Sequence, residues 1–128
     1  MDNRHRIVLY ILFVALALVL QGNIAFAGKS SVQIEVPESA AVGEVILIQL
    51  HVSHEGNNLF HYTDWVYVTI NGSEVKRWTF SNFDKPESEH FTRTINHTMN
   101  GPIRITAESD CNIHGSTGVV EKNVAIKK

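Results

Sequence analysis

His61-Tyr62-Thr63-Asp64-Trp65-Val66-Tyr67-Val68-Thr69-Ile70 runs directly into Asn71-Gly72, and Glu74 to Ser81 leads away from it. The first run is dense in aromatic and β-branched residues, which suit a pleated, half-buried surface. Asn-Gly supplies the two positive-φ positions of a tight two-residue hairpin turn. The three pieces together predict two antiparallel strands.

Working outward, the same signals recur. Ser31 to Val36 alternates, with Val32, Ile34 and Val36 on one face. Pro37 to Val42 reads as a turn region, and Gly43 to Val52 as a second strand. After the hairpin, Asn82 to Glu89 is polar, contains Pro86 and reads as loop. His90 to His97 predicts a fifth strand, and Asn100-Gly101-Pro102 a turn. Ile103 to Ala107 predicts a sixth strand, Ser109 to Gly118 a loop, and Val119 to Ile126 the last strand. Past residue 27 no segment keeps a helical period over ten residues. The expected fold is all-β, an immunoglobulin-like β-sandwich of about seven strands. Trp65, Trp78 and Phe80 are expected in its core.

The amino terminus reads differently. Arg4 and Arg6 precede an unbroken apolar run from Ile7 to Leu20, and Ala25-Phe26-Ala27 fits a small-x-small cleavage pattern. That is the layout of a secretory signal peptide, residues 1–27, and the run is short for a membrane span. The expected mature domain is residues 28–128, exported to the periplasm or the extracellular space, with no membrane attachment after cleavage. Its formal charge of −2, taken over the whole chain, comes without a basic block. Phosphate binding needs clustered Lys and Arg, so nucleic acid is not an expected partner.

The chain has one cysteine and seven histidines. Cys111-Asn112-Ile113-His114-Gly115 cannot form an internal disulfide, yet it offers a thiolate and an imidazole to one ion. His54 and His61 flank Glu55-Gly56-Asn57-Asn58, a turn-like segment across which a pair can converge. Thiolate with imidazole suits iron, zinc or copper and disfavours calcium and magnesium. His51 is three residues before His54 and can point to the other face of its strand. His90 and His97 stand outside either cluster and read as surface.

Those residues carry a resemblance. Cys111-Asn112-Ile113-His114-Gly115 resembles the iron motif of the superoxide reductases (desulfoferrodoxin and neelaredoxin), and His61-Tyr62-Thr63-Asp64-Trp65-Val66 resembles that family's His-Tyr-Ile-Glu-Trp-Ile stretch. The resemblance implies an immunoglobulin-like sandwich holding one mononuclear iron, Fe2+/Fe3+, on four equatorial histidines and an axial cysteine. It implies Cys111 as axial ligand and His54, His61 and His114 as equatorial ligands. The family's Glu-Lys-His-Val-Pro stretch corresponds here to Gln33-Ile34-Glu35-Val36-Pro37. Glu35 then stands where the remaining histidine is expected, and Ile34 where the family has a lysine that attracts superoxide. Glu35 and His51 are the two candidates for the fourth equatorial ligand; three histidines, the thiolate and water are the remaining arrangement.

The implied activity is an oxidoreductase reducing superoxide to hydrogen peroxide, with superoxide as substrate and an unidentified electron donor. The alternative on the same fold is a non-catalytic metal-binding or electron-transfer module. A cupredoxin also uses a Cys and His loop, but there a methionine usually follows the histidine. Here Ser116-Thr117-Gly118-Val119 follows, and Met99 lies upstream.

Overall fold

The computed structural model describes residues 2–20 and 28–128, so the expected cleavage site at Ala25-Phe26-Ala27 lies outside the described residues. The apolar run near the amino terminus forms helix α1, Asn3–Leu20. Its side chains from Ile7 to Phe13 are all exposed. Among the described residues no helix is long and apolar enough to cross a membrane.

Everything else is strand and connection: β1 (Ser31–Glu35), β2 (Ser39–Ala40), β3 (Val45–Ser53), β4 (Thr63–Ile70), β5 (Ser73–Thr79), β6 (His90–Thr98), β7 (Ile103–Cys111) and β8 (Val120–Ile126). They form two sheets, β1-β3-β6 and β2-β8-β7-β4-β5. The pairings are antiparallel except β2 with β8, which is parallel. One apolar core takes side chains from both sheets, including Val32 and Ile34, Ile48 and Leu50, Val66 and Val68, Ile105 and Ala107, and Val124. Each large aliphatic side chain so buried contributes roughly 1.5–3 kcal/mol before ordering entropy is set against it.

The β4–β5 turn forms as expected. Asn71 has φ 51° and Gly72 φ 84°, the pair of left-handed positions that a type I′ turn requires. Asn71 also accepts through Oδ1 from the backbone N–H of Arg104 at 2.9 Å, which ties the turn to β7.

Three expectations are corrected. The Pro37–Val42 turn region holds a two-residue edge strand, β2. Strand β7 continues through Cys111 rather than ending at Ala107. Trp65 lies outside the core. A register shift in the β4–β7 pairing between Thr63 and Trp65 leaves Asp64 as an extra residue, a bulge that reverses which face the neighbouring side chains occupy. Thr63 therefore turns inward and is buried, while Trp65 stacks on Tyr67 with the Arg77 guanidinium over both rings. Trp78 and Phe80 do pack against the core.

Candidate metal centre

Strand alternation builds the site at one end of the sandwich. On β3 the inward row is Ile46, Ile48, Leu50 and Val52, and the next residue of that parity is His54. On β7 the inward row Ile103, Ile105, Ala107 and Ser109 ends at Cys111. Along β1 the inward row Ile34 and Val32 extends back to Ser30 and then Gly28, both buried. The apolar core thus gives way first to three hydroxyls, Ser30, Thr63 and Ser109, and then to potential ligands.

The hydroxyls are bonded to one another. Ser30 Oγ donates to Ser109 Oγ at 2.8 Å and lies 3.4 Å from Thr63 Oγ1. Thr63 Oγ1 is 3.2 Å from His54 Nδ1. With Nδ1 held there, His54 Nε2 faces the Gly28 carbonyl and His61. Burial, more than any other influence, holds the His54 pKa below its ordinary value. Burial thus favours the neutral ring, the form that binds metals.

Two loops bring the other groups. Asn58 closes the turn before His61 by accepting through Oδ1 from the His61 N–H at 3.0 Å. Gly56, with φ 155°, leaves room for the ring, since a Cβ there would come within 2.4 Å of His61 Nδ1. Cys111 and Gly115 bond each other's backbone in both directions, making a tight loop that carries His114. The backbone N–H groups of Ile113 and His114 both point at Cys111 Sγ, at 3.4 Å. Asn112 clamps the two loops: it accepts from Tyr62 N at 3.0 Å and donates to Phe60 O at 3.0 Å. The sequence motif contains Asn112, but only the structure assigns it this task.

The donor atoms converge. His54 Nε2 and His61 Nε2 are 3.0 Å apart, and His61 Nε2 and His114 Nδ1 are 3.1 Å apart. The ligand atoms of His54, His61 and Cys111 all lie within 4.8 Å of one another. Two nitrogens bound at about 2.1 Å and at right angles on one ion lie about 3.0 Å apart, so the imidazole spacing fits a shared metal. Cys111 Sγ to His114 Nδ1 is longer, 3.9 Å. Cys111 is buried beneath the group, whereas His114 is exposed, so the site opens to solvent on the histidine side.

The other two candidate ligands sit elsewhere. Glu35 and His51 belong to the outward rows of β1 and β3 and bond each other, His51 Nε2 to Glu35 Oε2 at 2.6 Å. His51 Nδ1 is taken by Thr92 Oγ1 at 3.0 Å. His90 is exposed and bonds Ser53, and His97 is half-buried. Beside the site, on the outer face, Asp110 is pushed up by burial and then by the neighbouring charges of Asp64 and Glu108.

The Desulfoferrodoxin family model matches residues 24–117. The chain belongs to the desulfoferrodoxin family. That family binds iron, and this member has a His/Cys group that could hold a metal. No curated protein matches the chain. Among solved structures it is similar to the superoxide reductase (neelaredoxin) from Ignicoccus hospitalis, at 18% identity and TM-score 0.66, covering 84% of this chain and 89% of that one. It is also similar to a Thermotoga maritima protein titled as a candidate superoxide reductase, at 26% identity and TM-score 0.61, covering 77% and 86%. The CARDB domain of a Pyrococcus furiosus protein, solved with di-metal ions, shares 25% identity and TM-score 0.60, covering 80% and 96%. The fold of this desulfoferrodoxin domain is therefore the all-β fold of neelaredoxin.

Proposed function

We propose that this desulfoferrodoxin domain is an exported, mononuclear iron protein that reduces superoxide to hydrogen peroxide. The observation that carries the reading is the grouping of the His54, His61 and Cys111 donor atoms within 4.8 Å of one another at the open end of the core, with His114 Nδ1 3.1 Å from His61 Nε2. Relatives of this fold titled superoxide reductase support the substrate. Iron held there would supply the one-electron reduction that, with two protons, converts superoxide to hydrogen peroxide, its electron being restored by an external donor.

The chain's own residues set the conditions. His54, His61, His114 and Cys111 would hold the ion. Thr63 orients His54, the two backbone N–H groups hold Cys111 Sγ in position, and Asn112 keeps the loops in register. The exposed side at His114 admits a small anion. The position that resembles the family's lysine is Ile34, which is buried in the core. Acidic Asp64, Glu108 and Asp110 lie near one another on the outer face beside Cys111 and oppose an approaching anion, while exposed Lys29, next to Gly28, acts the other way. With no lysine at the matched position, superoxide reduction is expected to be slower than in lysine-bearing relatives. Pulse radiolysis over a salt series tests this, and a rate equal to theirs with the same salt dependence would refute it.

Residues 1–27 are the proposed export leader, and the exposed apolar side chains of α1 support that role. The CARDB likeness favours a second reading, a metal-holding module without catalysis. Metal analysis of the purified protein, with a visible spectrum after oxidation, separates the readings. Iron with a thiolate charge-transfer band that is lost in Cys111→Ala supports the proposal. Copper with an intense blue band would indicate a cupredoxin-like site. Zinc, or iron without superoxide reduction, would establish the module.

A further inference from the structure

Gly28 is buried among the same three imidazoles. Its carbonyl oxygen lies 3.0 Å from His54 Nε2 and 3.3 Å from His61 Nε2. A Cβ on it would come within 2.5 Å of His114 Nδ1. Its φ of 111° is a value that L side chains rarely adopt, so position and conformation both demand glycine. The residue is also held in place. Ser30 N–H donates to Gly115 O at 3.1 Å, and Ser30 O accepts from Thr117 N at 2.9 Å, sewing this segment to the cysteine loop.

We propose that the main chain of Gly28 is a metal ligand, the donor that stands in for a fourth imidazole. This rests on the metal-site reading above and names one further member of its ligand set. The separations of the carbonyl oxygen from two imidazole nitrogens are close to the about 3.0 Å expected of neighbouring donors on one ion. The side-chain candidates are engaged elsewhere, Glu35 with His51 and His90 with Ser53. His54 Nε2 lies within hydrogen-bond reach of the Gly28 carbonyl and keeps it aimed inward. Ligation through Nε2 would call for the Nδ1–H tautomer, whose proton Thr63 Oγ1 is placed to accept.

The test uses the full chain and Fe(II), Zn(II) or Co(II) as the probe. Gly28→Ala should weaken metal binding at least about 10-fold, the lower end of losses seen on disturbing a metal's supporting groups. Gly43→Ala is the control, because Gly43 has a comparable φ of 86° but open space around it, and it should bind as the parent does. Equal affinity in Gly28→Ala would overturn the proposal. Space-filling alone is separated from ligation by labelling all glycine carbonyls with carbon-13. Electron–nuclear double resonance of the ferric protein should show a carbonyl coupling that vanishes in Gly28→Ala loaded with excess metal. A coupling that persists there, or is absent in the parent, would also overturn it. If the parent binds no metal, or binds it without dependence on Cys111 and His61, the metal-site reading falls instead.

Discussion

His51 and His54 are three residues apart on one run of chain, and they end in opposite surroundings. His51 occupies the outward row of β3, bonded to Glu35 and Thr92. His54 continues the inward row past the strand end and is buried among Thr63, His61 and Gly28. Identical chemistry is thus sorted by a parity of one residue in the pleat. The end of a sandwich is where an inward row stops meeting apolar partners, and there an imidazole can be buried and still be used.

The largest effect separates the two histidines. His54→Ala should lower metal affinity more than about 100-fold, beyond the range for groups that only support a ligand. His51→Ala should leave affinity unchanged, and stability within about 0.5 kcal/mol, as for an exposed substitution. Chelator competition and denaturant melts on both variants measure this. Equal losses in the two would erase the comparison.

Next in size is the group beneath His54. Thr63→Val keeps the shape and removes the hydroxyl at Nδ1, so affinity should fall about 10- to 100-fold. The fold should survive, since the β-branched volume is retained. Unchanged affinity would mean that packing alone orients the ring.

A third substitution probes the stretch that looks most like a family motif. Glu35→His restores a histidine at the position the resemblance marks. Yet Glu35 pairs with Gln49, while it is Ser31, four residues earlier, that pairs with Ser53 beside His54. At about 3.3 Å per residue that is roughly 13 Å along the strand. Glu35→His should therefore bring no gain in iron retention. A gain would show that β1 shifts register when metal binds.

What the sequence revealed follows the same physics. The β4–β5 hairpin was legible because Asn71-Gly72 fixes its turn locally. Cys111, His114, His54 and His61 were legible as ligand types in two compact segments, and the structure brings them together. The strand around Cys111 was misread as loop because Ser109, Asp110 and Asn112 are turn-forming residues, although the inward row runs on to the cysteine. Trp65 was placed in the core because nothing in the sequence marks the bulge at Asp64. Gly28 was invisible for a deeper reason: a backbone donor leaves no side chain to notice, only a glycine beside a predicted cleavage site.

The smallest expected effect belongs to β6, the edge strand of the three-stranded sheet, where Arg93 stands opposite Leu50 on the inward row. Arg93 lies over the rings of Phe91 and Phe80 and makes a two-pronged pair with Glu87, at 2.7 Å and 2.9 Å. That pairing pulls the Glu87 carboxyl down to about 2, below its ordinary value. A carboxyl lowered on folding adds stability above its unfolded pKa, and the contribution fades as pH falls through the folded value. Glu87 is mostly exposed, so solvent screening limits the pair to under about 1 kcal/mol. Glu87→Gln should lower the melting temperature slightly at neutral pH, and the gap from the parent should close as pH drops from about 4.5 toward 2. Metal affinity should not change. A gap that stays constant over that range would assign the stabilisation to Arg93 packing on the two rings rather than to charge. An altered affinity would mean that this edge of the core is coupled to the metal-binding end.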